Sequence, residues 1–349
     1  MSKKILTKLE QESTLSESDA IALLSEEVAP HAIGIAAAKR SHRINNGRIY
    51  YARNAHLNPT NVCSLACPLC AYRKSSLGEL GSYELSIDSI VTYATLAKEV
   101  GINELHITGG IPPEKPASWF YDIVREIHKA APRLRIKAWT AVEIDHIAKL
   151  EKCSVEEVLE KMMEAGLNEL PGGGAEIFAP RVREEIAPRK IDSHRWLEIH
   201  RLAHKMNLPT NASVLFGHLE TPKELVSHMA SIRRLQDETD GFKSFIPLVF
   251  HPKNTKLEHL KKTSVTNTLR TIAVARLFLH NIPRIKAYWV TLTLPVAEIA
   301  LHYGADDLEG TIMQEQIHLA AGANSTAGGI SEDALKRMIV RAKRIPTLR

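Results

Sequence analysis

This chain has little material for disulfides, membrane spans or nucleic-acid-binding tracts. Its 349 residues include four cysteines, too few and too bunched for the disulfide framework of a protein this size. No apolar stretch approaches the roughly 18 residues that a transmembrane helix needs. The opening residues, MSKKILTKLEQEST, mix acids and bases and lack the apolar core of a secretory signal. Lys and Arg outnumber Asp and Glu by 45 to 40, a net charge of +5. They do not run beyond short pairs such as Arg233-Arg234 and Lys261-Lys262, which argues against a nucleic-acid surface. A mildly positive field suits small anionic substrates equally well. No Pro- or Ser-rich linker divides the chain, and no segment is of low complexity. These exclusions leave a cytoplasmic, enzyme-like chain.

What is present is alternation. Residues 15–28 and 30–47 carry helical apolar spacing behind polar caps. β-rich runs then occur at 49–57, 104–108, 135–142, 167–170, 210–216, 242–250, 284–291 and about 306–312. Helical patterns lie between them at 86–100, 116–131, 154–165, 192–207, 221–238, 263–281 and 293–303, with a last one at 331–344. Some eight strand–helix repeats predict an α/β fold, a (β/α)8 TIM-type barrel over 48–312. A helical extension (1–47) precedes it, and a C-terminal extension (313–349) packs on it. The strand ends are polar or glycine-rich: Asn58 to Asn61, Thr108 to Gly110, Thr140 to Glu143, Gly172 to Glu176, His218 to Thr221 and His251 to Thr255. In such a barrel they meet on one face, where the chemistry sits.

CSLACPLCAYRK, residues 63–74, places three of the four cysteines within eight residues, as Cys63-x3-Cys67-x2-Cys70. A tetrahedral zinc site would be one ligand short, with His56 or Cys153 to complete it. A ferredoxin-type cluster would need a fourth cysteine, and Cys153 lies far along the chain before a helix start, where a small buried side chain is the plainer role. A [4Fe–4S] cubane on three thiolates accounts for the count, and leaves one iron open to bind a substrate or cosubstrate. Other strand-end residues offer further chemistry. ITGGIPP and LPGGGAEIF stack glycines where a ligand comes close to the backbone, or where the chain simply turns. Glu176 suits ribose hydroxyls, or a helix cap. His218 and His251 are placed to donate a proton or to hydrogen-bond an anion, or are ordinary loop histidines. His200 and His204, four apart on one helix, read as a solvated face. Arg53, Arg73 and Arg181 are the arginines nearest the expected mouth, each able to hold a carboxylate by two hydrogen bonds.

The cysteine spacing after a first strand, with Tyr72 two positions beyond Cys70, resembles the radical S-adenosylmethionine (radical SAM) superfamily. That resemblance implies a [4Fe–4S] cluster on Cys63, Cys67 and Cys70. It also implies S-adenosylmethionine chelated at the open iron, with Tyr72, Gly109, Gly110 and Glu176 as its contacts. Six segments narrow the resemblance: HLNPTNVCSLACPLCAYRK, IKAWTAVEI, LPGGGAEIF, FGHLET, FIPLVFHPKNT and IKAYWVTL. They run in collinear order from 56 to 292, and ALHYGADDLEGTI carries the match to 312; together they resemble the futalosine-pathway enzymes of menaquinone synthesis. The form FIPLxFHPxNT, with His251 where the pathway's cyclase is expected to carry glutamine, looks like the aminofutalosine synthase family. So does YGADDLEGT, with Asp306. The cyclic dehypoxanthine futalosine synthases are the alternative. The synthase resemblance implies addition of the 5′-deoxyadenosyl radical to 3-[(1-carboxyvinyl)oxy]benzoate, aryl migration from oxygen to carbon, and decarboxylation. 6-Amino-6-deoxyfutalosine and methionine result. A flavodoxin- or ferredoxin-type electron donor is implied, with His218 and His251 as candidates to orient the rearranging oxygen.

Overall fold

The computed structural model describes residues 5, 7–9, 11, 13–25, 28–323 and 328–349. Three expected segments therefore fall partly outside it: the N-terminal extension over 1–47 at 1–4, 6, 10 and 12, the helix over 15–28 at 26–27, and the C-terminal extension at 324–327. After helices α1 (Glu17–Leu24) and α2 (Pro30–Asn45), strands and helices alternate, and the strands form three parallel three-stranded sheets. One sheet is β2 (Asn54–Leu57), β3 (Glu104–Ile107) and β4 (Arg135–Ala138). Another is β5 (Thr210–Phe216), β6 (Phe242–Val249) and β7 (Arg284–Ile285). The third places β1 (Arg48–Ala52) between β8 (Asp307–Gly310) and β9 (Ile345–Leu348). Single bridges between 137 and 169, 170 and 210, 286 and 307, and 55 and 313 join their edges. No closed sheet forms among the described residues, so the architecture is parallel α/β.

Every residue of β5, TNASVLF, is buried, as expected of a parallel strand covered on both faces. Helices cover the outside. Helix α4 (Ala117–Ala130) buries Phe120, Ile123, Val124 and Ile127 on one stripe, each worth about 1.5–3 kcal/mol of burial. Side-chain caps start most helices: Ser86, Ser154, Asp192, Thr221 and Ser264 each accept a backbone N–H of the first turn. Asp306 fastens the end of α2. It accepts short hydrogen bonds from Asn45 of α2 and Arg276 of α10 (Val265–Phe278), and the Ile285 N–H at 2.8 Å.

Several expectations need correction. The run 135–142 is a strand only to Ala138. Thr140 and Glu143 form a reciprocal cap that starts helix α5 (Ala141–Glu151), which the strand-like IKAWTAV conceals. The run 284–291 is a strand only for two residues. The chain then turns through a short helix, α11 (Trp289–Leu292), with the buried Trp289 indole donating to the Gly310 carbonyl at 2.9 Å. At 167–170 only the single bridges form. The C-terminal segment supplies β9, paired in parallel with β1, beyond the expected helix, α14 (Glu332–Arg341). His200 and His204, on α8 (Ser193–Lys205), face inward: His200 is fully buried against Trp196 and Phe242, and both rings meet the Thr210 hydroxyl, at 2.9 and 2.7 Å. Two imidazoles four apart thus fill a gap between helix and sheet.

Candidate active site

The ends of β2 to β6 and the loops that follow them enclose a cavity of about 280 Å³. Cys63, Cys67 and Cys70 line one wall, from the loop after β2. This loop is anchored from several sides: the Cys63 N–H donates to the Lys74 carbonyl at 3.0 Å, and Ser64 N–H to Ile111 at 2.9 Å. Arg73 Nε donates to the Cys63 carbonyl at 2.8 Å, and Arg189 reaches that of Ser64 at 3.2 Å. Gly109 and Gly110 lie directly beneath. A Cβ on Gly110 would fall 2.1 Å from the Val62 carbonyl oxygen, and one on Gly109 2.9 Å from that of Thr60. Their first role is therefore to let the cysteine loop's backbone lie on the end of β3, and they line the cavity from there.

The glycine run after residue 170 behaves similarly. A Cβ at Gly172 would strike the Ala212 backbone at 2.7 Å, and one at Gly174 the Val142 side chain at 2.4 Å. The loop is held from behind by Arg183 of α7 (Pro180–Ile186), whose Nη1 donates to the Ala175 carbonyl at 2.5 Å. It presents Glu176 to the cavity in a left-handed conformation, φ 45°. Glu176 caps nothing; it makes a short ion pair with Lys190, which lines the cavity beside it. Burial pushes the Glu176 carboxyl upward, but the Lys190 ammonium, with Arg183 and His218 behind it, outweighs this and holds it below the usual range.

Tyr72 lines the cavity and forms a short hydrogen bond with the Tyr83 hydroxyl. His251 lines it too, its Nε2 donating to the Thr291 carbonyl at 2.9 Å; burial draws its pKa below the ordinary value. His218 is not brought in. Its side chain is fully buried, with Nε2 donating to the Leu215 carbonyl at 2.9 Å and Nδ1 accepting the Leu219 N–H at 2.7 Å. Of the three arginines, Arg73 lines the cavity; Arg181 pairs with Glu224 at the surface and Arg53 with Glu332. Asp306, one of the synthase-like residues, lies away from the cavity, whereas His251, the other, faces it. The cavity also gathers residues that the sequence did not single out as ligands of a substrate: His56, His106, Lys137, Lys190, Tyr288, Glu315 and His318. For His56, His106 and Lys137 the only signal was a polar residue among apolar neighbours in a short strand, as in NAHL and ELHI; the others come from loops and a short helix.

The donor set fits a cluster better than a single ion. Among the described residues no group of three or more His, Cys, Asp or Glu side chains converges closely enough to hold one metal ion, whereas a cubane takes each thiolate on a different iron and so spreads its ligands. His56 packs on His106 and Tyr288. Cys153 contacts Glu151 at 3.6 Å, between α5 and α6 (Val155–Ala165), outside the cavity. Neither completes a zinc site. Burial pushes the Cys67 thiol up to about 11 and raises Cys70, with Lys190 drawing both back toward the thiolate. A coordinated cation removes such protons outright.

Residues 57–232 match the radical SAM superfamily, and 239–349 match the CofH/MqnC C-terminal region. The chain belongs to the radical SAM superfamily. Within it, this member is similar to the aminodeoxyfutalosine synthase of Thermus thermophilus, 40% identical over 349 residues, covering 99% of this chain and 93% of the relative. The cyclic dehypoxanthine futalosine synthase of Streptomyces coelicolor is 33% identical over 322 residues, covering 91% and 80%. The fold is similar to that of methylornithine synthase, with a TM-score of 0.76 at 18% identity over 98% of this chain and 97% of that one. Among the described residues no helix of this radical SAM protein is long and apolar enough to cross a membrane.

Proposed function

We propose that this chain catalyses the aminodeoxyfutalosine synthase reaction. S-Adenosylmethionine and 3-[(1-carboxyvinyl)oxy]benzoate yield 6-amino-6-deoxyfutalosine, methionine and carbon dioxide, with the aryl group moving from oxygen to carbon. The observation that carries this reading is the 40% identity to a synthase along the whole chain, which exceeds the 33% to the cyclase. Cys63, Cys67 and Cys70 hold the [4Fe–4S] cluster in this reading, and Tyr72, Gly109, Gly110 and Glu176 surround S-adenosylmethionine. When bound, the cluster supplies the electron that breaks S-adenosylmethionine into methionine and a 5′-deoxyadenosyl radical. A flavodoxin- or ferredoxin-type donor would provide that electron, and the rearranged radical gives it up again as carbon dioxide leaves, so the overall reaction consumes none.

The residues of this chain have two tasks. A primary alkyl radical takes hydrogen from whatever it meets, so the site must exclude water and hold the alkene within about 3–3.5 Å of the attacking carbon. The apolar side chains Leu215, Ile246, Leu248 and Phe250 on one side of the cavity serve the first task. Polar groups at its rim and base serve the second, with His251 the retained candidate to orient the rearranging oxygen; the enclosed position of His218 supports only a role in shaping the loop. The single bridges between the three sheets support one (β/α)8 wall over 48–312, with 1–47 and 313–349 as extensions upon it.

The test is anaerobic. The cluster is reconstituted, reductant, S-adenosylmethionine and the benzoate are added, and nucleosides are read by mass spectrometry. The expected result is a product with the adenosyl group joined to the aryl ketone. Free 5′-deoxyadenosine with the benzoate intact would instead move the substrate toward that of the cyclase.

A further inference from the structure

Two imidazoles at the base of the cavity leave a ring nitrogen without a hydrogen bond. His56 of β2 and His106 of β3 are registered neighbours across the sheet, and His106 is in turn registered with Lys137 of β4. All three line the cavity. The two rings stand edge to face with centroids 4.8 Å apart. His56 is 5% exposed, and the Nε2 atoms of both histidines are buried without a hydrogen-bond partner. Lys137 differs from them: its ammonium is held by Glu104 at 2.8 Å, Glu309 at 3.3 Å and Glu169 at 3.9 Å. A buried polar atom left unsatisfied is costly, and native proteins rarely leave two on one wall. Both rings line the space that receives ligand.

Their depth matters. The cysteine loop follows β2, so the cluster end of the cavity is its rim, while His56 and His106 sit within the strands, below Leu57 and Ile107. Tyr288 lies nearly parallel to His56, at 6.4 Å and 12°. Leu215, Ile246 and Leu248 face the same space from β5 and β6. A ligand entering this end meets these apolar side chains on one side and, at its foot, two imidazole rings.

We propose that His56 and His106 are the seat of an aryl carboxylate, holding the ring carboxylate of the acceptor substrate at the base of the cavity so that its alkene points toward the cysteine rim. This rests on the synthase reading for the identity of the acid. The reacting alkene must lie near the adenosyl group at the rim, and the ring carboxylate is the charged group at the far end of the same molecule. With its ring turned so that a nitrogen faces the cavity, each imidazole donates one N–H to one carboxylate oxygen. The two histidines thus bind and position; no proton needs to leave them.

The experiment separates this seat from the overall reading. Cluster-loaded protein with S-adenosylmethionine and no reductant, which cannot turn over, is titrated calorimetrically with 3-[(1-carboxyvinyl)oxy]benzoate and with 2-phenoxyacrylate, which lacks the ring carboxylate. His56→Phe and His106→Phe each weaken the benzoate by about tenfold or more, the effect of losing a hydrogen bond to a charged group. S-Adenosylmethionine affinity and cluster absorbance stay at the wild-type level, and phenoxyacrylate binds wild type and variants alike. His56→Gln and His106→Gln, which keep an N–H, recover much of the loss and guard against a packing effect. Equal benzoate affinity in wild type and both Phe variants, or an equal loss for phenoxyacrylate, would overturn the seat while leaving the synthase reading intact. Wild-type protein that shows this binding pattern yet forms no adenosylated product with reductant would overturn the reading and leave the seat standing.

Discussion

Gly110 has no room for a side chain, and the obstruction is backbone. A methyl group at this position would fall 2.1 Å from the Val62 carbonyl oxygen, so either β3 or the cysteine loop must move. Overpacking of this kind costs about 1–3 kcal/mol, and the loop, held by hydrogen bonds at its ends, is the softer partner. Gly110→Ala is therefore expected to lower the iron bound per chain and the cluster's visible absorbance far more than it lowers the thermal midpoint. Gly109→Ala, at 2.9 Å from Thr60, should do so less. Full iron loading in Gly110→Ala would refute this account. At this scale the sequence was legible where a residue type has few other uses: three close cysteines, a triple glycine with an acid behind it, and a histidine ending an apolar strand at 251 all line the cavity. His218 shows the limit. It ends an apolar strand too, but its neighbouring amide and the Leu215 carbonyl take both ring nitrogens, and no spacing rule could have revealed that. His56 and His106 were hidden for a different reason: inside a short strand, only the three-dimensional pairing tells which side chains look inward.

Among the elements, α10 and the chain before β8 are joined by a buried ion pair, to which Asn45 of α2 adds a hydrogen bond. Arg276 and Asp306 are both fully buried, and the guanidinium also donates to the Gly304 carbonyl at 3.0 Å. Removing one partner of such a pair typically costs about 3–5 kcal/mol, because the other is left without its counter-charge. Arg276→Met should lower the urea midpoint accordingly, and the double change with Asp306→Asn should recover part of the loss. A single variant as stable as wild type would show that packing alone holds this junction. The helices were readable because polar caps precede apolar stripes, as at Ser86 and Thr221. Those missed have equally physical reasons. Helix α5 begins inside a strand-like run, and β9 is four partly exposed residues, IPTL, whose only mark is the partner it finds on β1.

For the molecule as a whole, the buried histidines set the response to acid. Burial pulls His56 and His204 down to about 4 and His228 to about 3. Their unfolded forms titrate near the ordinary 6.5, so between that pH and about 4 the unfolded chain binds protons that the folded chain refuses. Their contribution is fully present above pH 6.5 and is lost as the pH falls toward 4. Each adds about 1.4 kcal/mol per pH unit to the slope across that window. Urea midpoints should thus fall steeply from pH 7 to pH 5, and a flat profile would mean that these rings protonate in place.

The hydrogen bonds that close β1 and β2 against β8 span the chain. The Asn54 N–H donates to the Thr311 hydroxyl 257 residues later. The cysteine loop directly after β2 is therefore synthesised long before the wall that flanks it. During translation its thiols face solvent without their enclosure, and contacts of such long range form slowly. The three thiols are thus enclosed only once the last strand of the wall has been made.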